Sequence, residues 1–270
     1  MPYENAPVVF VALEVRLPSE DSAAVPSVAD QRALCALLDG RDEDSWVPDK
    51  LTQNSAMRLS FSPGGPVPTF MPQMPESSLP RLLNRVRTSS ITFAPASMVV
   101  ETTAYGSWQS FSAVVRTAIE FMSERLSPDG YSRLGLRYLD EIQVPTAPEE
   151  EIDWEYYLNS TLPPPSPSGF KPQTWQSVAQ YADGAERGLI LRYGPQPVPI
   201  AIAGAAVGLQ RRQPIEQGPC FIVDTDAFCQ PSTIPKFDVR MILSEFESLH
   251  GSISVLFESL VKQELRDLWA

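Results

Sequence analysis

The 270-residue chain predicts an α+β protein, with a mostly antiparallel sheet in two similar strand–strand–helix halves and long helices on one face. Three observations predict it. Short β-branched and apolar runs bounded by proline and glycine recur along the chain. Long segments with apolar residues at helical spacing follow them. Finally, Val100-Glu101-Thr102-Thr103-Ala104-Tyr105 and Val223-Asp224-Thr225-Asp226-Ala227-Phe228 agree in character at every position except Thr103/Asp226, and each precedes an amphipathic helix.

Val8 to Leu17 is apolar and β-branched and stops at Pro18, which predicts a buried strand. Ser27 is placed to cap a helix with apolar face Val28, Leu34, Leu37 and Leu38, closed by Gly40. Arg41 to Pro80 is charged and proline-rich and reads mostly as loop, with a strand-like island at Met57 to Phe61. Ile91 to Tyr105 reads as a strand or a bent pair of strands interrupted at Pro95, which has no N–H for a ladder. Trp108, Phe111, Val115, Ala118, Met122 and Leu126 then share a helix face, stopped by Ser127-Pro128-Asp129-Gly130. Leu134 to Val144 alternates and predicts a strand, as do Ser177 to Tyr181, Gly188 to Tyr193 and Cys220 to Phe228. Two helices close the chain, one on Phe237, Met241, Ile242 and Phe246, the other on Ile253, Leu256, Phe257, Leu260, Val261 and Leu268, jointed at His250-Gly251. The run Pro163-Pro164-Pro165-Ser166-Pro167 admits neither helix nor central strand. It predicts an N-terminal half over 1–162, a connector over 163–173 and a C-terminal half over 174–270, packed as one unit.

Composition narrows the function classes. Lysine and arginine number 21 against 33 acidic residues, a net charge of −12, and such a field repels a phosphate backbone. Arg81, Arg85 and Arg87 are too small a basic stretch to reverse it, so nucleic acid is not the expected partner. Cys35, Cys220 and Cys229 form no paired spacing and read as reduced thiols of a cytoplasmic protein, with no zinc ligand set. No apolar stretch approaches the ~20 residues of a membrane helix.

Several short motifs occur in order along the chain: Tyr3-Glu4-Asn5-Ala6-Pro7-Val8, Trp108-x-x-Phe111, Gly135-Leu136-Arg137-Tyr138-Leu139-Asp140-Glu141-Ile142, Val223-Asp224-Thr225-Asp226 and the Phe257-to-Leu268 helix. Together they resemble a sporadically distributed prokaryotic family of uncharacterised proteins. Its members more often carry asparagine at the position of Asp140. The patchy distribution implies mobile cassettes such as bacterial defence or toxin–antitoxin loci, and the resemblance brings no catalytic residues.

Candidate sites are few. Strand alternation puts Arg137, Leu139 and Glu141 on one sheet face and Leu136, Tyr138 and Asp140 on the other. Arg137 and Asp140 read either as a polar anchor for a ligand or, for Arg137, as one half of an ion pair across the sheet. Asp224 and Asp226 project from one face, with Glu101 as the equivalent acid of the first half, a set that could hold a hard divalent cation through oxygen ligands. No glycine-rich phosphate loop accompanies it. His250, the only histidine, has no oriented partner or nucleophile in the sequence and reads as structural. The segment Pro197 to Leu209, apolar with two glycines and followed by Arg211-Arg212, reads either as an ordinary buried hairpin or as an exposed flap in which Ile200 and Ile202 meet a partner or a second copy, with Arg211 and Arg212 at the rim. The expected function is therefore a non-catalytic partner-binding component without cofactor, chaperone-like or antitoxin-like in a defence cassette. The alternative is a metal-dependent enzyme at Asp224/Asp226.

Overall fold

The computed structural model describes residues 6–18, 25–39, 45–52, 78–145, 151–159, 168, 175–197, 199, 208–212 and 218–269. Met57 to Phe61, Ile200, Ile202, Gly40 and the 163–167 proline run lie outside them.

Among the described residues nine strands form one antiparallel sheet: β1 (Val8–Arg16), β2 (Trp46–Thr52), β3 (Ser78–Asn84), β4 (Ser89–Ala94), β5 (Ser97–Thr102), β6 (Arg133–Ile142), β7 (Ser177–Asp183), β8 (Arg187–Gln196) and β9 (Cys220–Cys229). Their order across the sheet is β2-β3-β4-β5-β1-β6-β9-β8-β7. The helices are α1 (Val28–Leu38), α2 (Trp108–Phe121), α3 (Trp154–Tyr157), α4 (Val239–Leu260) and α5 (Gln263–Trp269). The fold is α+β on an antiparallel sheet. Among the described residues no helix is long and apolar enough to cross a membrane.

Two prolines of the stretch read as loop, Pro48 and Pro80, sit in strands, and register explains why they are tolerated. Pro48 lies on β2, the sheet edge, and Pro80 pairs with Lys50 on that same side. The β3–β4 ladder begins only at Arg81↔Thr92, so Pro80 leaves no central ladder bond unmade. At Pro95 the chain does not bend but reverses. Ala94 pairs with Ser97 across a two-residue turn, where the fixed φ of proline is an asset.

One face of the sheet carries the helices. Ser27 caps α1 reciprocally with Asp30. The buried face of α1 is Gln31, Leu34, Cys35 and Leu38, while Val28 and Leu37 point to solvent. In α2, capped by Ser107, Phe111, Val115 and Ala118 are buried, and Met122 continues the stripe into a π turn that Ser127 ends in the left-handed conformation. These residues meet Val11, Leu13, Val15, Leu134 and Leu136 from the sheet and Ile242, Phe246, Leu249 and Ile253 from α4 in the main core. His250-Gly251 is no joint: α4 runs through it as one 22-residue helix and breaks at Val261. A glycine in a helix interior costs only about 1 kcal/mol, which the apolar contacts on both sides outweigh. A second core gathers Ile142, Val223, Phe221 and Leu191 under Leu260, Leu265 and Trp269.

Candidate functional site

The face without helices carries charge. On β6 the side chains of Arg133, Arg137 and Glu141 share it with Glu14 of β1, Asp224 and Asp226 of β9 and Arg192 of β8. Arg137 grips Asp224 with a two-pronged contact, Nε to Oδ1 at 2.6 Å and Nη2 to Oδ2 at 2.8 Å, and Arg192 approaches Oδ2 at 3.5 Å. Arg133 bridges Glu14 at 2.7 Å and Asp226 at 3.3 Å, with its guanidinium 5.2 Å from the Phe228 ring. Burial alone would lower the Arg137 pKa, but the Asp224 carboxylate outweighs it and the net direction is up. Burial raises the Asp226 pKa despite Arg133 and Arg137 nearby. The same face holds Glu101, whose row runs Ser90, Glu101, Ala12, Arg137, Asp226. Two strands therefore separate Glu101 from Asp226, and no cluster of three or more metal-ligating side chains occurs among the described residues. Glu101 is instead held by Ser90, whose hydroxyl donates at 2.9 Å, and burial pushes its pKa up to about 7.

Arg211, expected at a polar rim, reaches back to the sheet and binds Glu141 through two contacts of 2.6 and 3.1 Å. Arg212 is exposed. Next to them Leu209 packs on Val9, Phe10, Leu139, Cys220 and Ile222. Arg81 is buried and donates to Ser90, Arg85 donates to Ser45 and Arg87 to the Gly208 carbonyl, so the three arginines serve internal contacts.

Asp140 lies on the helix side, as alternation requires, between Tyr138 of the main core and Ile142 of the second. It is 4% exposed. Burial, reinforced by Asp224, pushes its carboxyl up to about 8, so it is mostly protonated at neutral pH. Close by, the Tyr138 hydroxyl donates to Tyr105 at 3.2 Å and stands 3.1 Å from Nδ1 of His250. The His250 ring stacks on Trp108 at 4.3 Å, and Trp108 donates to Glu247 at 2.7 Å. Burial lowers the His250 pKa, against the pull of Glu247, and favours the neutral imidazole.

The feature that sequence reasoning passed over is the far end of the sheet. β7 is an edge strand exposed along most of its length, with Val178 at 58% and Tyr181 at 50%. Beside it opens a cleft of about 820 Å³, lined among others by Gln180, Tyr181, Gly188, Ile190, Phe228 and Pro231. The far end of the Phe228 ring covers Gly188, where a Cβ would come within 2.5 Å of it. Asp183 and Glu186 flank the β7–β8 turn, and Gly184 supplies its positive φ. The signal was present in the Asp-Gly-Ala-Glu turn between two short strands, though alternation does not say which strand ends at an edge. The chain matches none of the protein-family models, curated proteins or solved structures with which it was compared.

Proposed function

We propose that the chain is a non-catalytic protein-binding component that presents the open edge of β7 to a partner. One observation carries this reading. The two edges of the sheet are treated differently: β2 is interrupted by Pro48 and charged at Asp49 and Lys50, which discourages pairing, whereas β7 has no proline and no lysine and exposes Val178 and Tyr181. A soluble chain with one guarded edge and one open edge is arranged for strand addition at the open one. The saturated ion pairs of the helix-free face fit the same reading, since arginines already engaged by carboxylates make a rigid platform. A place in a bacterial defence or toxin–antitoxin cassette is the setting we assign to it, on the family resemblance alone.

Outward from the β1–β6 pair the strand order is alike on both sides, with β5 and β9 next, then β4 and β8, then β3 and β7, and β2 left without a counterpart. We read this as a duplication of one strand–helix–strands–helix unit, the first running from β1 to α2 and the second from β6 to α4. In this alignment Glu101 and Asp224 are equivalent, and their cross-strand neighbours Ser90 and Arg192 are equivalent too.

The test is co-purification of the tagged full chain from its native host. A stoichiometric protein partner is expected with the wild type and is expected to be lost with Val178→Asp/Tyr181→Asp, at an unchanged melting temperature. Retention of the partner by the double variant would move the interface elsewhere and defeat the proposal.

A further inference from the structure

Resting on the reading of β7 as an open edge, we propose that its partner is an extended segment of another protein, apolar at alternate positions and carrying lysine or arginine at the end beside the β7–β8 turn. The cleft gives the apolar part of this recognition. Its floor is Phe228 lying across Gly188, with Ile190 and Pro231 around it, on the same helix-free face as the exposed Val178. A strand added to β7 directs every second side chain to that face.

Charge gives the rest. Glu186 lines the turn end of the cleft, Asp183 stands at the same turn across from Arg187 on the helix side of β7, and neither forms an ion pair among the described residues. The neighbouring cations are already engaged: Arg187 binds Glu245 at 2.6 Å, and Arg192 and Arg133 serve Asp224 and Asp226. Glu186 accepts from the backbone and hydroxyl of Ser232, which fixes its carboxylate in place and leaves it negative. The bonds from Ser232 lower the Glu186 pKa, against a smaller opposing effect of desolvation. A chain of net charge −12 adds a long-range attraction for a basic segment and a repulsion for a second copy of itself.

The probes are two fluorescent decapeptides of alternating valine and threonine, one ending in two lysines and the other in two glutamates, titrated into the full chain by fluorescence anisotropy. The lysine peptide is expected to bind about tenfold more tightly, with a preference that shrinks as salt is added. Asp183→Lys, on an exposed side chain, is expected to weaken it about fivefold, and Asp183→Lys/Glu186→Lys to abolish the preference. Equal binding of both peptides, or a preference that survives the double variant, overturns the inference. So does a concentration-dependent dimer of the chain alone that Val178→Asp/Tyr181→Asp abolishes, because the occupant is then a second copy. If neither peptide binds while the native partner still depends on Val178 and Tyr181, this inference falls and the open-edge reading stands.

Discussion

Asp140 is the residue whose chemistry is most exposed to experiment. Its folded pKa of about 8 lies above the ordinary 3.8, so the folded chain holds the proton more firmly than the unfolded one. The stability this gives is full below about pH 4 and is lost as the pH rises through 8, with Glu101 adding a parallel loss through about 7. Denaturant melts from pH 5 to 9 should therefore show stability falling with pH. Asp140→Asn, which keeps the shape of the protonated acid, should flatten that slope and raise stability at pH 8 by on the order of several kcal/mol. An unchanged slope would mean that Asp140 is already solvated. Arg137 obeys the opposite logic. Arg137→Leu removes the main counter-charge of Asp224 and should destabilise the chain by about 3 kcal/mol in the same melts, more than an exposed pair would.

Among the elements, α2 is the one on which sequence and structure meet most closely. Phe111, Val115, Ala118 and Met122 recur at helical spacing and all lie in the main core. Phe111→Ala should cost roughly 3–5 kcal/mol in equilibrium unfolding, and a loss under about 1 kcal/mol would place that ring outside the core. Strands with uninterrupted alternation were legible in the same way, as β6, β8 and β9 show. The edge strand β2 and its neighbour β3 were not, because Pro48 and Pro80 read as breakers until the register shows where each one leaves no ladder bond unmade. The helix face of α1 was half legible: capping by Ser27 was explicit, but Gln31 and Cys35 displaced Val28 and Leu37 from the buried side. Of the candidate site, the cross-strand engagement of Arg137 was foreseeable from alternation alone. The cleft beside β7 was not, since it depends on which strand has no outer neighbour.

At the scale of the whole molecule, the feature with the furthest reach is the seam between β1 and β6. Leu13 and Leu136 face each other there although most of the first unit lies between them along the chain. Such a pairing closes a long loop, and its entropic cost is met before any of its contacts reward it. By contrast, β7, β8 and β9 pair in sequence order through a tight turn at Gly184, as do β3, β4 and β5. The order of events during folding follows: the two meanders form early and the seam zips late. In stopped-flow kinetics, Leu191→Ala in β8 should mainly slow refolding, whereas Leu13→Ala in β1 should leave refolding nearly untouched and hasten unfolding. The reverse pattern would mean that the seam nucleates the chain. With a late seam, each newly folded molecule passes through a stage in which the middle of its sheet is a pair of raw edges, and the exchange of one unit between two chains is the characteristic error of that stage.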